Sequence, residues 1–521
     1  MVTPRGASLC ARLIDPLVAR RRGGVHRPRE FRSRGARRAV AAADGGVGGA
    51  LYRRCGACQT RTLRCRTPCI ARRDHDPKAG VHVEQQPRRA GEGLGPEAAL
   101  VSGYDLGSGF IAPGSAADAG TAVAYLRSPL AVRVRSTNVL EAGLLGELRH
   151  FRVDRSRVEA VADLVIAVTR ANYPNLRIPV HGRVGHFRAG GVDRVAELTE
   201  ACGGDGVAAE ALVDLVVVSV LLDAAAGDTW RYREAATGLE LARSEGLAVA
   251  SLRAFQAGLF SADALLPLRV DAAALRGIDE ATLGDALQVG PVGDNALVGL
   301  EGRAGLLRRL GEVLDDNAAL FPGGRPSGLL KVVKDRGGEV RAADLLGDLL
   351  EGLGPIWPGR LELGGVNLGD CWRHPAAGGT GMSAGLVPFH QLSQWLAYSL
   401  FEPFELGGVK VVQHGAMTGL PEHRNGGLLL DLGVLVPRYD AITRNLYPVD
   451  AEVVVEWRAL TVALLDWVAD AVREKLQVTP DQLPLARILE GGTWHAGRQL
   501  ARERRPGGGS PIRVESDGTV F

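Results

Sequence analysis

Helical spacing of apolar residues is the feature that most constrains the fold of this chain. The longest such segment runs from Asp450 to about Leu476 and carries Trp457, Leu460 and Leu464 on one face. Apolar residues three and four positions apart form one stripe of an amphipathic helix. Similar helical signals recur at 128–145, from 154, at 207–225, 248–257, 300–314 and 341–352, and from about 388. Strand-like alternation is confined to 361–366 and 408–412, so we predict a mainly α-helical fold with loops at about 315–340 and 375–387.

The most apolar stretch is LVDLVVVSVLLDAAAG, which begins at Leu212. Asp214 and Asp223 interrupt it, and no stretch of the chain reaches the roughly 20 apolar residues that a membrane-spanning helix needs. The stretch therefore predicts a buried core helix, and we expect no membrane partner.

The net charge of +3 averages two unlike parts of the chain. Residues 1–100 hold 21 Lys and Arg against 8 Asp and Glu, whereas the remainder holds 41 against 51. The basic end has little apolar material with which to offset chain entropy, so we predict a disordered extension over 1–118 and a single large helical domain over 119–521. The extension is a transit peptide, an arm for nucleic acid or anionic membrane, or not a working part of the protein; we favour an extension without function.

Five of the seven cysteines lie in the basic end. Cys55, Cys58, Cys65 and Cys69 are spaced closely enough to bind zinc, but the aromatic residues that pack a zinc knuckle are missing around them. We favour an incidental cluster. Few cysteines elsewhere fit a reducing compartment, and we expect a cytoplasmic protein without cofactor or metal.

Two segments combine aromatic, charged and glycine residues. In LLDAAAGDTWRYRE, Asp223 ends an apolar helix close to Trp230, which fits a sugar or anion site. The alternative is a solvated Asp223 with Asp228 capping the following helix. In residues 354–375, Asp370 is followed by Trp372 and Arg373, and a desolvated carboxylate there would act as a base or stabilise a cation. The alternative is a structural Asp370 paired with Arg373.

Two later segments are also candidates for a ligand site. Glu422 and Arg424 lie before Gly426-Gly427, where a polar loop next to the core predicts a site and a surface turn is the alternative. Gly491-Gly492-Thr493 before a helix would offer N–H groups to phosphate, with Arg498 nearby. His181 and His186 are interpreted as structural histidines rather than as ligands of sugar or phosphate.

Several motifs in order resemble the uracil catabolism protein 4 family of fungi and bacteria. They include SPLAVRVRS, YPNLRIPVHGRVGHFRAGG, GPIWPGRLELGGVNLGDCWRHP, VPFHQLSQWLAYSL and LPEHRNGGLLLDLGVL, and the likeness covers about 120–521. Residues 1–115 match nothing in this pattern. The resemblance implies a role in the route that opens the pyrimidine ring of uracil, with other uracil-catabolic enzymes as partners.

A more distant likeness is to the queuosine-salvage N-glycosidases, helical proteins related in fold to base-excision glycosylases. Asp370 and Trp372 match their Asp-x-Trp element, while Glu422 and Arg424 conservatively match the acidic residue and the Arg of their Pro-Asp-Tyr-Arg element. His423 replaces the Tyr. This likeness implies a hydrolase that breaks an N-glycosidic bond.

The two resemblances together predict hydrolysis of the N-ribosyl bond of a uracil ribonucleotide or its ring-opened ureide, releasing ribose 5-phosphate. The transition state carries positive charge on the sugar, which a carboxylate stabilises. Asp370 is the predicted catalytic carboxylate, and Glu422 is the second. The predicted substrate-binding residues are Asp223 for the ribose hydroxyls, Arg373 and Arg424 for the 5′-phosphate, Trp230 and Trp372 for the wall of the pocket, and Arg498 as a further positive charge.

Two alternatives belong to other classes of protein. One is a non-catalytic scaffold or carrier of labile intermediates in the same pathway. The other is an amidohydrolase acting on the ureide, for which Cys371 is the only candidate nucleophile. In each case we expect a small nucleotide as ligand and no nucleic acid as partner.

Overall fold

The structure is a computed structural model, and it describes residues 119–290, 294–516 and 519. The four clustered cysteines and the basic extension lie outside the described residues. The described part of the chain is mainly helical, as predicted. Its helices are α1 (Ala119–Leu126), α2 (Pro129–Leu144), α3 (Val158–Asn172), α4 (Arg183–Phe187), α5 (Arg194–Cys202), α6 (Asp205–Leu221), α7 (Arg243–Gln256), α8 (Ala272–Arg276), α9 (Glu280–Ala286), α10 (Leu300–Asp316), α11 (Gly328–Asp335), α12 (Ala342–Gly352), α13 (Gln391–Leu406), α14 (His423–Asp431), α15 (Ala441–Arg444), α16 (Glu452–Leu476), α17 (Leu485–Ile488) and α18 (Trp494–Arg504).

The strands are short and occur only in pairs. Within the described residues they form six two-stranded sheets, four antiparallel and two parallel, and none of these sheets has a third strand. The pairs are β1 (Phe151–Val153) with β10 (Leu435–Pro437), β2 (Tyr232–Arg233) with β3 (Glu240–Leu241), β4 (Glu339–Arg341) with β9 (Lys410–Val412), β5 (Glu362–Leu363) with β6 (Val366–Asn367), β7 (Cys371–Arg373) with β8 (Leu386–Pro388), and β11 (Leu446–Tyr447) with β12 (Arg513–Val514).

The core is built around α6, α13 and α16. Helix α6 is the predicted core helix, buried along almost its whole length and packed against α13, while α16 packs against α2 and α3. Asp214, the buried acidic residue within α6, accepts hydrogen bonds from the Val270 and Ser327 amides and from Arg325. These partners satisfy a carboxylate that burial alone would strongly disfavour.

The predicted helix start at Ser128 is confirmed. The Ser128 side chain accepts a hydrogen bond from the Ala131 amide, and Pro129 occupies the first helical position of α2. Asp154 also caps as expected, since its side chain accepts from the Ser156 amide just before α3. Such side chains satisfy amides that the first helical turn leaves without partners.

Two segments predicted as loops or turns are helical instead. Residues 315–340 include α11, whose Leu329, Leu330 and Val333 are buried. Gly426 and Gly427 lie inside α14 rather than in a turn, because Gly426 faces the Trp457 indole and leaves no room there for a β-carbon. In both cases tertiary packing outweighs the local preference of glycine and proline for turns.

The predicted phosphate-binding helix start at Gly491-Gly492-Thr493 is wrong. Leu489–Thr493 forms a π-helical turn that continues directly from α17 into α18, so the segment is not a free helix N-terminus. Both glycines are buried against α3, Gly491 next to Thr169 and Gly492 next to Val165 and Thr169. Their small size serves this close approach of two helices. Among the described residues, no helix is both long and apolar enough to cross a membrane.

Candidate functional site

A cavity of about 530 Å³ opens where distant segments of the chain meet. Its walls come from the loop that follows α6, the start of α7, the helices α13, α14, α16 and α18, and the C-terminal segment 505–516. A pocket of this size is large enough for a small organic ligand. Sequence order alone does not bring these segments together.

Four of the predicted site residues meet in this cavity. Asp223, Glu422, Arg424 and Arg498 all line it, although 275 positions separate the first of them from the last. Asp370, Trp230, Trp372 and Arg373 do not line it. The predicted site is thus divided, with one set of residues facing the cavity and another outside it.

The two predicted wall tryptophans are structural neighbours of the core. Trp230 is fully buried, and its indole N–H donates to the Leu287 carbonyl at 3.0 Å. Trp372 is also buried, and its indole donates to Asp370 at 2.6 Å. Arg373, predicted to bind phosphate, is exposed at the end of β7. None of the three reaches the cavity in this conformation.

Asp370 is held by a buried ion pair. Its two oxygens accept from Arg458 of α16 at 2.7 Å each, and they accept further hydrogen bonds from Trp372 and the Gln391 amide. Burial acts to raise the pKa of Asp370, but the Arg458 charge and the hydrogen bonds from Arg458, the Gln391 amide and Trp372 together outweigh burial and hold the pKa well below its usual range. Its cation is therefore Arg458 and not the adjacent Arg373 of the structural alternative.

The surroundings of Asp370 leave little room for a substrate. The crevice beside it measures about 30 Å³, which suits one or a few water molecules rather than a nucleotide. A carboxylate that already accepts four hydrogen bonds has few lone pairs left for a ligand. Its predicted catalytic role stays a prediction, and the contacts favour a role in joining the β7–β8 hairpin to α16.

Glu422 differs from Asp370 because its surroundings leave one carboxyl oxygen without a hydrogen-bond partner among the described residues. It precedes the first residue of α14, and its Oε1 atom is buried with no hydrogen-bond partner among the described residues. Burial is the largest influence on its pKa, the Asp223 charge adds to it, and the pKa rises to about 7 despite opposing effects of His181, Arg424 and a Trp494 hydrogen bond. A carboxyl group with this pKa exchanges its proton near neutral pH, as general acid–base catalysis requires.

Asp223 lies just after the last turn of α6 and forms an ion pair with Arg183. One of its oxygens is 2.8 Å from Arg183, whose side chain is fully buried, and the other accepts from the Ser244 hydroxyl at 2.6 Å. The alternative of a solvated Asp223 is wrong, since only 7% of its side chain is exposed. Asp228 is exposed and begins no helix, so the predicted cap is not formed.

Histidines and tryptophans form one wall of the cavity. The His181 ring lies 4.5 Å from the Trp395 ring, and the His186 ring lies within 6 Å of both Trp395 and Trp494. His181 Nδ1 is 2.7 Å from Glu490. Flat aromatic walls of this kind pack against the faces of sugars and bases. The sequence interpretation gave these two histidines a structural role only, and it did not predict Trp395, Trp494 or Arg243 as site residues.

Arginines also line the cavity. Arg424 and Arg243 both donate to the Gly508 carbonyl of the C-terminal segment, and Arg498 pairs with Glu245. Burial, together with the charges of neighbouring arginines, lowers the pKa of Arg424 to about 10. Clustered cations that destabilise one another are stabilised by a bound anion. Arg243 also has a φ of 56°, a conformation that is strained for arginine.

Several residues that line this cavity have a buried polar atom without a hydrogen-bond partner within the described residues. Four residues that line the cavity have such an atom: Glu422 (Oε1), Trp395 (Nε1), Trp457 (Nε1) and Ser510 (Oγ). Buried polar groups in folded proteins are nearly always hydrogen-bonded, because leaving one unpaired costs about 1–3 kcal/mol. A ligand that both accepts and donates hydrogen bonds would satisfy the set.

Comparison with known proteins identifies the family. A family model described as "Protein of unknown function (DUF1688)" matches residues 125–521. The chain belongs to this family. The match covers the cavity and every segment that lines it, and it begins close to the start of the described residues.

Two curated relatives are similar to the chain over nearly their whole length. Protein urg3 of Schizosaccharomyces pombe is 40% identical over 411 residues, covering 77% of this chain and 99% of the relative. Uracil catabolism protein 4 of Lachancea kluyveri is 37% identical over 439 residues, with the same coverage of 77% and 99%. The family resemblance drawn from the sequence motifs is therefore confirmed.

Cys371, the only candidate nucleophile of the amidohydrolase alternative, is poorly suited to that role. Its side chain is fully buried in β7, and burial together with the neighbouring Asp370 charge raises the pKa of the thiol. A nucleophilic cysteine needs the opposite, a lowered pKa and access to substrate.

Proposed function

We propose that this protein acts in uracil catabolism by hydrolysing the N-ribosyl bond of a uracil ribonucleotide or its ring-opened ureide. The name of one relative, uracil catabolism protein 4, supports the pathway, and the cavity supports the type of reaction. The observation that carries the proposal is Glu422, a carboxyl group in the cavity lining with a pKa of about 7 and a buried oxygen that has no hydrogen-bond partner among the described residues.

The reaction adds water across the bond between the sugar carbon C1′ and the base nitrogen. As that bond breaks, its electron pair stays on the nitrogen, and we assign Glu422 in its protonated form to donate a proton there. The oxygen of water bonds to C1′, and the resulting carboxylate of Glu422 takes up the proton that water releases. The group therefore returns to its starting state, and ribose 5-phosphate and the free base or ureide leave.

Asp223 and the arginines complete this assignment. A carboxylate held by Arg183 and Ser244 is fixed in position, and it would bind ribose hydroxyls or stabilise the positively charged sugar. Arg424, Arg243 and Arg498 would bind the 5′-phosphate, because clustered guanidinium groups match phosphate oxygens in geometry and charge. Trp395 and Trp494 would enclose the base or sugar.

The first prediction is that Glu422→Gln abolishes turnover. Purified protein incubated with uridine 5′-monophosphate, or with its ring-opened ureide, should release ribose 5-phosphate, which coupled assay or mass spectrometry detects. Removing the proton donor should lower kcat by about 100-fold or more. Glu141→Gln is the matched control, since Glu141 is exposed on α2, far along the chain from every cavity residue, and it should match the parent.

The Asp370→Asn variant tests whether Asp370 or Glu422 is needed for turnover. If Glu422 is the proton donor, the folded fraction of Asp370→Asn should retain turnover while its melting temperature falls, because Arg458 loses its charged partner. The proposed role of Glu422 is wrong if Glu422→Gln turns over like the parent. The N-glycosidase proposal itself is wrong if neither substrate yields ribose 5-phosphate from the parent protein.

A further inference from the structure

A second cluster of ionisable side chains lies outside the cavity, at the start of α16. Glu452 and Glu456 are one helical turn apart and so lie on the same face of this helix. His150, which precedes β1, reaches the same place, and His374, which follows β7, approaches from the other side. Three separate parts of the chain thus bring imidazole and carboxylate groups together.

The atoms of the cluster are close enough to share one ion. One nitrogen or oxygen from each of His150, Glu452 and Glu456 lies within 4.8 Å of the other two. His150 Nε2 and Glu452 Oε1 face each other at 3.5 Å, and both atoms are buried without a hydrogen-bond partner among the described residues. Such atoms cost free energy unless something binds them.

The neighbours of the cluster hold its side chains in a ligating orientation. His150 Nδ1 is 2.5 Å from the Tyr439 hydroxyl, which leaves Nε2 as the nitrogen that faces the carboxylates. Glu456 Oε1 accepts from the His150 and Phe151 amides at 3.1 and 2.9 Å. Metal-binding histidines and carboxylates are commonly oriented by hydrogen bonds of this kind through their other atoms.

His374 orients the second oxygen of Glu456. Its Nδ1 accepts from the Ala376 amide, so the ring proton is on Nε2, which is 3.4 Å from Glu456 Oε2. The Glu456 side chain is fully buried, and within the described residues His374 is its one neighbour at ion-pair distance that can carry positive charge. Burying a carboxylate without a permanent cation is unfavourable, and a bound divalent ion would remove the cost.

We propose that His150 Nε2, Glu452 and Glu456 bind a divalent transition-metal ion such as Zn²⁺, with water completing its coordination. One imidazole and two carboxylates are ligands that Zn²⁺ accepts, at about 2.0–2.2 Å after small side-chain adjustments. None of the three residues lines the cavity. The ion would link the segment before β1 to the first two turns of α16. Trp457, which directly follows Glu456 in this helix, lines the cavity.

The test uses the full-length chain in a background of Cys55→Ser, Cys58→Ser, Cys65→Ser and Cys69→Ser, because those cysteines are themselves potential zinc ligands. The protein is stripped with a chelator and titrated with Zn²⁺. Elemental mass spectrometry then measures bound zinc, and calorimetry measures the melting temperature. We expect about one tightly bound equivalent and a higher melting temperature, since an ion that binds only the folded state stabilises it.

Three variants locate the ion. His150→Ala and Glu452→Gln, made at partly exposed positions that tolerate substitution, should each weaken zinc binding by at least about tenfold and lose the increase in melting temperature. Glu474→Gln is the matched control, an exposed glutamate on the same helix, and it should bind zinc like the parent. The proposal is overturned if the parent takes up less than a tenth of an equivalent, or if His150→Ala and Glu452→Gln bind zinc as the parent does.

Discussion

At the scale of single residues, two carboxylates that looked alike in sequence differ in their partners. Asp370 and Glu422 are both largely buried next to an aromatic residue and an arginine. Asp370 accepts two hydrogen bonds from Arg458, whereas Glu422 keeps one oxygen without a partner among the described residues. An ion pair favours the charged form and desolvation the neutral form, so the two pKa values move in opposite directions. Of these two carboxyl groups, Glu422 is the one suited to exchange a proton near pH 7.

The raised pKa of Glu422 makes stability depend on pH in a defined direction. Unfolded, this carboxyl group loses its proton near its ordinary pKa of 4.5, but in the folded protein it keeps the proton until about pH 7. Between these values the folded state binds more protons, so the group's contribution to stability is lost as pH rises. Glutamine does not titrate. We therefore expect the free energy of unfolding of Glu422→Gln, measured relative to that of the parent, to rise by on the order of 2 kcal/mol from pH 5 to pH 8.

Urea unfolding of the parent and Glu422→Gln at several pH values measures this difference. The Glu141→Gln variant controls for loss of a glutamate in general and should follow the parent at every pH. A constant difference between Glu422→Gln and the parent across the range would mean that Glu422 has an ordinary pKa.

At the scale of elements, the cavity depends on how closely α14 and α18 approach. Helix α14 begins directly after Glu422 and carries Arg424, while α18 carries Trp494 and Arg498. The two helices touch at Gly497, where a β-carbon would overlap the Arg424 carbonyl oxygen. That oxygen belongs to the backbone and cannot move aside as a flexible side chain can, so glycine is needed at this crossing.

Gly497→Ala should therefore destabilise the protein by about 1–3 kcal/mol, because the added methyl group forces the helices apart. Gly347→Ala is the matched control: Gly347 lies in α12, no atom comes within 4 Å of the place that an alanine methyl group would take, and alanine there should gain up to about 1 kcal/mol of helix stability. Urea unfolding of both variants is the measurement. Equal stabilities would contradict the close crossing of α14 and α18.

At the scale of the whole molecule, the net charge of +3 does not show where the arginines suited to binding an anion lie. The part of the chain after residue 100 has more acidic than basic residues, yet Arg243, Arg424 and Arg498 cluster in its cavity. Local arginines in an acidic protein suit a small anionic ligand, and the overall basic character is not an argument for nucleic-acid binding. The C-terminal segment matters here because the Gly508 carbonyl accepts from both Arg243 and Arg424.

Two truncations test this distribution of function. The family model matches 125–521, so a chain that starts at Ala119 should release ribose 5-phosphate within about twofold of the parent. Removal of 505–521 should reduce activity by about 100-fold or more, since it removes one wall of the cavity and the carbonyl that positions two arginines. Loss of activity on deleting 1–118, in a variant with normal helical content, would show that the basic end contributes to function.

Local sequence patterns were enough to establish the helical character, the main helices and the family. Apolar spacing and end signals such as Ser128-Pro129 are local, and a residue's neighbours along the chain are enough to interpret them. Motif order likewise needs no coordinates. The sequence also identified the segments that contain Asp223, Glu422, Arg424 and Arg498, because each of them places polar residues next to a predicted core helix.

Which of these residues share a site follows from the packing of the folded chain. Arg458 pairs with Asp370 across 88 positions, and His181 meets Trp395 across more than 200. Such pairings depend on helix packing, and no local pattern encodes them. The same holds for the pKa of Glu422 and for the His150, Glu452 and Glu456 cluster, because desolvation and the distance between charges exist only once the chain has folded.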